Sequence, residues 1–167
     1  MKRDVTSASL SNTKRLLFGA LLLVFVGGVL SACATDSESA TSVSDLPVVT
    51  MYKSPTCGCC AKWAEHLEAH GFEVTAIDLP DVTPLKQRYG VPRDLASCHT
   101  AVVGGYVMEG HVPAEDVKRL LAEKPDVVGL AVPGMPIGSP GMEGPNPKPY
   151  DVVAFTRGGE RGVFASR

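Results

Sequence analysis

The sequence predicts a mixed α/β domain with the element order β-α-β-α-β-β-α, and three observations support this prediction. Short runs rich in β-branched and aromatic residues alternate with amphipathic stretches, which is the pattern of strands joined by helices. Glycine and proline lie at the junctions between these runs. Three of the five cysteines lie within residues 57–60, between the first predicted strand and the first predicted helix. The chain has 167 residues, so it is expected to form one domain with appended segments.

The first half of this domain supplies two strands and two helices. Val48–Lys53 is apolar on both faces, as a central strand is. Trp63 and Leu67 lie on one face of the first helix, so Cys60, one turn before Trp63, is expected to point towards the covered face. Thr83 is expected to be the N-cap of the second helix. The predicted elements are the strands Val48–Lys53 and Phe72–Asp78, the helix Gly58–His70 with Gly71 as its C-cap, and a short helix from Thr83 to Tyr89.

The second half adds a hairpin and a third helix. The Gly104-Gly105 pair between two apolar runs indicates a β-hairpin within Cys98–Gly110. Pro113–Lys124 predicts an amphipathic helix with acidic residues at its positive end. With a cysteine motif after the first strand, this order is that of the thioredoxin fold. Right-handed crossovers then make the first two strands parallel.

The C-terminal part is predicted to be a long loop followed by a hairpin. Residues 128–149 contain so many glycines and prolines that neither a helix nor a strand ladder is expected there. The apolar residues Met135, Ile137 and Met142 favour a functional loop over a free linker. Tyr150–Thr156 and Arg161–Ala165 predict a closing hairpin around two glycines.

Residues 1–32 predict a lipoprotein signal peptide. Basic residues precede the apolar run Leu16–Leu30, which is too short and too rich in glycine for a membrane span. The run ends in Leu30-Ser31-Ala32-Cys33, which resembles the bacterial lipobox. Cys33 is therefore expected to be lipidated and to become the mature N-terminus. The alternative is ordinary secretory cleavage near Ala32 or Ala34, with Cys33 incidental.

The residues after Cys33 suggest where the protein lies. Ala34 is not an aspartate, and by similarity to enteric lipoproteins this favours the outer membrane over the inner membrane. Residues 33–46 are rich in Ser, Thr, Ala and Asp and predict a flexible tether, followed by the domain at residues 47–167.

The charge pattern argues against a nucleic-acid partner. The chain has 16 basic and 18 acidic residues, and residues 1–32 hold four of the basic and one of the acidic residues, so the mature chain carries a net charge of −5. It has no cluster of Lys and Arg of the kind that binds phosphates.

The four remaining cysteines predict the chemistry of the site. A helix N-terminus favours thiolate over thiol, so the cysteines at 57–60 would either exchange with disulfides or bind a soft metal. Small buried core cysteines are the third alternative. An extracytoplasmic compartment oxidises idle thiols, and a Cys57–Cys60 disulfide is feasible and would leave Cys59 and Cys98. Metal binding is the other way to protect all four.

Cys98 is expected to face the cysteine motif from the start of the third strand, at the same end of the sheet. Many thioredoxins place a Thr-Pro or Val-Pro here, so a thiol in its place argues for ligation rather than plain disulfide exchange. Four thiolates suit Zn²⁺, Cu(I) or an iron–sulfur cluster. Adjacent Cys59 and Cys60 can bridge neighbouring ions more easily than share one tetrahedral ion, which favours thiolate-bridged copper.

Other side chains are weaker candidates for the site. Met135 and Met142 could be thioether ligands or an apolar lid. His99 and His111 could be ligands, or they could be ordinary polar residues. His66 and His70 have the i, i+4 spacing that can bind metal, but a solvated outer face is the expected place for them.

Four motifs together resemble the CopG family of periplasmic copper-resistance proteins. They are Thr56-Cys57-Gly58-Cys59-Cys60, Cys98-His99-Thr100, Glu109-Gly110-His111-Val112-Pro113 and the run Gly129–Glu143. The resemblance covers about Val48–Phe164. It implies a thioredoxin-like fold in which Cys57, Cys59, Cys60 and Cys98 bind copper, with a multinuclear Cu(I) cluster as one arrangement.

The sequence therefore predicts a lipid-anchored copper protein of the bacterial cell envelope that faces the periplasm and serves copper resistance. Interconversion of Cu(I) and Cu(II) is its candidate reaction. Copper ions, other periplasmic copper-handling proteins and the lipid membrane are the expected partners. The alternatives are a thiol–disulfide oxidoreductase that uses Cys57 and Cys60, a passive copper carrier, and a zinc-stabilised structural domain.

Overall fold

A computed structural model describes residues 45–167 as a mixed α/β structure. In this part of the chain one seven-stranded sheet is accompanied by three α-helices. The signal peptide predicted at residues 1–32 and all but the last two residues of the predicted tether lie outside the described residues. The strands are β1 (Val49–Lys53), β2 (Val74–Asp78), β3 (Thr100–Val103), β4 (Tyr106–Gly110), β5 (Gly129–Val132), β6 (Asp151–Phe155) and β7 (Arg161–Ser166), and the helices are α1 (Gly58–Ala69), α2 (Thr83–Arg88) and α3 (Ala114–Glu123).

The sheet has the strand order β2-β1-β3-β4-β5-β6-β7. β1 pairs in parallel with β2 and antiparallel with β3, and β3 and β4 form an antiparallel hairpin. The prediction of parallel first strands is confirmed, and β1 lies between two neighbours as its two apolar faces indicated. β4 and β5 are parallel, and β5, β6 and β7 are joined by antiparallel pairs.

The core lies between the sheet and one face each of α1 and α3. Trp63 and Leu67 of α1 and Val117 and Leu120 of α3 are fully buried. Each such apolar side chain contributes about 1.5–3 kcal/mol on burial. Cys60 is also fully buried, as its place one turn before Trp63 predicted.

One strand contradicts the expectation of an irregular segment at residues 128–149. Gly129–Val132 forms β5, and all four of its residues are buried. Gly129 lies so close to β4 that a Cβ there would be 1.8 Å from the Val107 carbonyl oxygen. Glycine here permits close strand pairing rather than breaking the strand. Residues 133–149 are irregular apart from one isolated bridge.

The start of α2 also differs from the prediction. Thr83 is the first residue of the helix rather than its N-cap. The Thr83 N–H instead donates to the carboxylate of Asp81 at 2.8 Å, which satisfies one of the unpaired amides that every helix start presents.

Within residues 45–167, no helix is long and apolar enough to cross a membrane.

Candidate metal centre

The first three cysteines of the site lie where β1 turns into α1. Cys57 is the N-cap residue, with an extended backbone, and its N–H donates to the Ser54 carbonyl at 3.1 Å. This turn brings Cys57 and Cys60 to a Cα–Cα distance of 5.4 Å, and the two form a disulfide. Cys59 keeps a free, half-buried thiol whose Sγ lies 3.6 Å from the Sγ of Cys57.

Cys98 approaches this group from the segment that precedes β3. The Sγ atoms of the four cysteines all lie within 4.8 Å of one another; these are Cys57, Cys59, Cys60 and Cys98. The antiparallel pairing of β1 and β3 places the end of one strand beside the start of the other, and this brings distant residues together. The structure thus gathers the four sulfurs that the sequence predicted would converge. Their role as metal ligands stays a prediction.

His111 adds an imidazole nitrogen to the group. Its Nδ1 lies 2.7 Å from the Pro140 carbonyl oxygen. A carbonyl only accepts, so Nδ1 carries the proton and a neutral ring presents a lone pair at Nε2. That Nε2 lies 3.1 Å from the Sγ of Cys98. A backbone carbonyl that orients a histidine in this way is typical of metal-binding imidazoles.

His99 is the second imidazole beside Cys98. It is fully buried, and its Nδ1 lies 3.4 Å from the Cys98 Sγ. Its ring packs against Trp63 at 4.4 Å between centroids and against His111 at 5.1 Å. The Nε2 atom of His99 is buried and has no hydrogen-bond partner among residues 45–167. One donor atom from each of Cys98, His99 and His111 also lies within 4.8 Å of the other two, so these three residues could hold a metal ion as well.

Burial keeps these groups uncharged when no cation is present. Two causes raise the pKa of Cys98 to about 12: burial is the larger, and the nearby Cys59 is the second. Burial also holds the pKa of His99 well below its ordinary 6.5 and lowers that of His111. A cation that binds Cys98 must therefore displace a proton, so metal binding releases protons here.

A buried charged network, which the sequence reasoning missed, supports the Cys98 segment. The carboxylate of Glu109 in β4 accepts from the Lys86 ammonium at 2.5 Å, from the Ser97 N–H at 2.6 Å and from the Thr100 hydroxyl at 2.7 Å. Burial raises the pKa of Glu109, although Lys86 opposes this. Ser97 and Thr100 flank Cys98 and His99, so one carboxylate fixes both sides of the segment. A charged residue inside the apolar run of β4 was the available signal.

The glycine- and proline-rich loop lies directly on the first turn of α1. Gly141 has φ +82°, and a Cβ there would be 2.8 Å from both the Cys59 carbonyl oxygen and the Trp63 amide nitrogen. The Gly141 N–H donates to the Glu143 carboxylate at 2.7 Å, and the neighbouring Pro140 carbonyl accepts from His111. The loop therefore covers the cysteines on one side.

The methionines are placed differently from one another. Met142 lines a cleft of about 560 Å³ beside Cys59, together with Lys62 and Ile137. Met135 is 39% exposed, and Met108 is part of the buried core. A ligand role for Met135 or Met142 stays a prediction.

The sequence predicted that His66 lies on a solvated face, and this prediction is wrong. It is half-buried, and its Nε2 accepts the Ala114 N–H of α3 at 3.1 Å. His66, the exposed His70 and the exposed Glu115 form a group separate from the sulfur cluster.

Comparisons with known proteins give one matching family model and two similar solved structures. A family model described as "Protein of unknown function, DUF411" matches residues 95–142, which include Cys98, His111 and the covering loop as far as Met142. Two solved structures, described as "Copper resistance protein copG- Form 2" and "Copper resistance protein copG- Form 1", are each 47% identical to this chain. Each match covers 72% of this chain and 98% of the other, with TM-scores of 0.69 and 0.68. The comparison with curated proteins gives no match.

Proposed function

This chain belongs to the CopG family of copper resistance proteins, and we propose that it binds copper in the bacterial cell envelope through Cys57, Cys59, Cys60 and Cys98. Copper is the cargo of this site, bound as Cu(I), and its sequestration serves copper resistance. The site takes more than one ion when neighbouring thiolates bridge them.

The convergence of four sulfurs within 4.8 Å is the observation that carries this proposal. Thiolates are soft donors and select Cu(I) over hard cations. The Nε2 lone pair of His111, 3.1 Å from Cys98 Sγ, supplies a borderline donor at the same place. A cation converts these thiols to thiolates when it binds. The half-buried setting has a lower dielectric constant than water, which strengthens the attraction between the cation and the thiolates.

The disulfide has to open before all four sulfurs can bind. Its reduction by an external dithiol transfers two electrons and two protons, returns two thiols and leaves the external dithiol as a disulfide. In the reverse direction, two thiols and two Cu(II) ions give one disulfide, two Cu(I) ions and two protons. Cys57 and Cys60 thus supply two electrons to two Cu(II) ions only as a dithiol and have given them up in the disulfide, with Cys59 and Cys98 as the sulfurs that stay reduced in this step.

An anaerobic Cu(I) titration of the reduced full chain tests the proposal. We expect at least one copper per chain and a lower stoichiometry in Cys59→Ser. Glu68→Gln, at an exposed position of the same helix, is the matched control and should bind as the unchanged protein does. Less than one copper per chain, unaffected by Cys59→Ser, would contradict the proposal.

A thiol–disulfide oxidoreductase is the second candidate, because the Cys57–Cys60 disulfide lies at the start of a helix. That position stabilises a thiolate leaving group. This function requires reduction of a model disulfide without metal and with Cys98 dispensable. A passive copper carrier, in contrast, would transfer Cu(I) to an acceptor with no change of oxidation state.

The fold and the location are part of the same proposal. The parallel β1 and β2, the β3–β4 hairpin and the cysteines at the start of α1 support a thioredoxin-like classification. The lipobox at Cys33 supports a lipid anchor, with the domain facing the periplasm and its partners among copper-handling proteins there. Cys33→Ala should move the protein from the membrane fraction to the soluble fraction. A protein that stays in the membrane fraction after this change would exclude anchoring through Cys33.

A further inference from the structure

The far end of α1 carries a second group of donor atoms that the sulfur chemistry does not use. We propose that His66, His70 and Glu115 form a site for a borderline divalent cation such as Zn²⁺ or Cu(II). His66 lies six residues beyond Cys60, which is about 9 Å along the helix axis at 1.5 Å per residue. The two sites share no ligand.

Two helices bring these donors together. His66 and His70 are four residues apart and therefore lie on one face of α1, with their ring centroids 4.3 Å apart. Glu115 comes from the first turn of α3. One donor atom from each of the three residues lies within 4.8 Å of the other two. A cation at this point would join the end of α1 to the start of α3.

The hydrogen bonds fix which ring nitrogens hold lone pairs. The His70 Nδ1 lies 2.7 Å from the His66 carbonyl oxygen, so Nδ1 carries the proton and Nε2 is the free donor. This is the same orientation by a backbone carbonyl that metal-binding histidines show. His66 accepts the Ala114 N–H with its Nε2, so this nitrogen too is unprotonated. A cation that binds this lone pair would break the hydrogen bond from the Ala114 N–H, so the state of the Ala114 amide reports on metal binding.

The surrounding charges favour a cation. The pKa of His66 is lowered by burial and then by His70, while Glu115 and Glu143 act in the opposite direction. Both carboxylates therefore exert a negative potential at the His66 ring.

The donor set decides the class of metal. Two imidazoles and one carboxylate suit Zn²⁺, Cu(II) and Ni(II), whereas thiolates suit Cu(I) as well as Zn²⁺. Three protein ligands leave a further position for water, because Zn²⁺ takes four ligands. The site therefore differs from the sulfur cluster in place and in lacking the soft sulfur donors that select Cu(I).

Zn²⁺ calorimetry on the full chain with its disulfide intact tests the proposal. His70→Ala and Glu115→Gln should each weaken one binding event by at least about tenfold. The control Glu68→Gln changes an exposed carboxylate of the same helix outside the group and should have no effect. His70 is exposed and leaves the His66–Ala114 hydrogen bond in place, so His70→Ala separates ligation from the structural role of His66.

Two further measurements make the result specific. Zn²⁺ should shift the Ala114 amide resonance in a nitrogen–proton correlation spectrum, and this shift should be lost in His70→Ala. Cu(I) titration of the reduced protein should be unaffected by His70→Ala, so failure of this site is distinguishable from failure of the sulfur site. Equal Zn²⁺ affinity in His70→Ala and Glu68→Gln, with no shift of Ala114, would overturn the proposal and leave His66 as a cap of α3.

Discussion

The two ends of helix α1 present donor sets of opposite character. At its start, four sulfurs and the buried His99 and His111 form a half-buried group under a covering loop. At its end, His70 and Glu115 are exposed and only His66 is half-buried. The soft sulfur donors all lie in the half-buried group, beside two buried imidazoles, whereas the group at the other end of the helix has two exposed members and no sulfur. Along this helix, the soft donors are therefore the shielded ones.

The largest expected effect is the loss of copper binding on Cys98→Ser. This change removes the only sulfur of the group that comes from outside residues 57–60. Cu(I) affinity should fall by more than the roughly 10–100-fold that loss of an outer hydrogen-bonding partner costs. Competition with a Cu(I) chelator measures it. His70→Ala is the control from the other end of α1, and equal losses in the two variants would remove the distinction between the ends.

The second prediction concerns the support of the sulfur end. Glu109→Ala leaves the buried Lys86 ammonium without its partner carboxylate, which typically destabilises a protein by about 3–5 kcal/mol. Urea unfolding measures the change. Asp94→Asn is the control, because it breaks an ion pair with Arg161 that is exposed, and its effect should be much smaller. Similar losses of unfolding free energy in both variants would mean that the buried Glu109–Lys86 pair contributes no more to stability than the exposed Asp94–Arg161 pair.

The covering loop provides the third prediction. Gly141→Ala places a methyl group against the Cys59 carbonyl oxygen and the Trp63 amide, and strain of this kind costs about 1–3 kcal/mol. The loop should lift, and alkylation of Cys59 by iodoacetamide should become faster. Gly159→Ala is the control, since it has a similar φ of +87° but no atom within 4 Å of the new Cβ. Unchanged alkylation in Gly141→Ala would show that the loop does not cover the cysteine.

The smallest expected effect is the pH dependence of stability. The buried His99 has a pKa well below the ordinary 6.5, so the unfolded chain binds its proton more tightly than the folded chain. The stability that it contributes is complete above the ordinary pKa and is lost as pH falls below it, by up to about 1.4 kcal/mol per pH unit. Urea unfolding of the metal-free protein at about pH 7.5 and 5.5 should show a smaller loss for His99→Gln than for the unchanged chain. Equal losses would contradict this.

Local patterns predicted most of the secondary structure and the cysteines that the structure brings together, but not the residues that support them. The periodicity of α1 and α3 and the glycine pair of the β3–β4 hairpin are short-range signals, and the structure has all three elements. β5 was missed because its pairing with β4 is parallel and non-local, and because Gly129 read as a breaker when it allows close strand contact.

The same distinction holds for the residues of the site. The spacing of the cysteine motif was a local signal. Cys98 was expected at the same end of the sheet because of parallel topology, and it lies there through the antiparallel pairing of β1 and β3. The Glu109–Lys86 pair and the Pro140–His111 contact join residues 23 and 29 positions apart. No local pattern could have predicted those partners. His66 was misplaced for the same reason, because its partner Ala114 lies on another helix.

Copper X-ray absorption on the reduced protein loaded with Cu(I) is the decisive test of copper binding by the four cysteines. We expect a first coordination shell dominated by sulfur, with a copper–copper contribution where thiolates bridge two ions, and loss of sulfur scattering in Cys98→Ser. A shell made only of nitrogen and oxygen, or one that Cys98→Ser leaves unchanged, would contradict it.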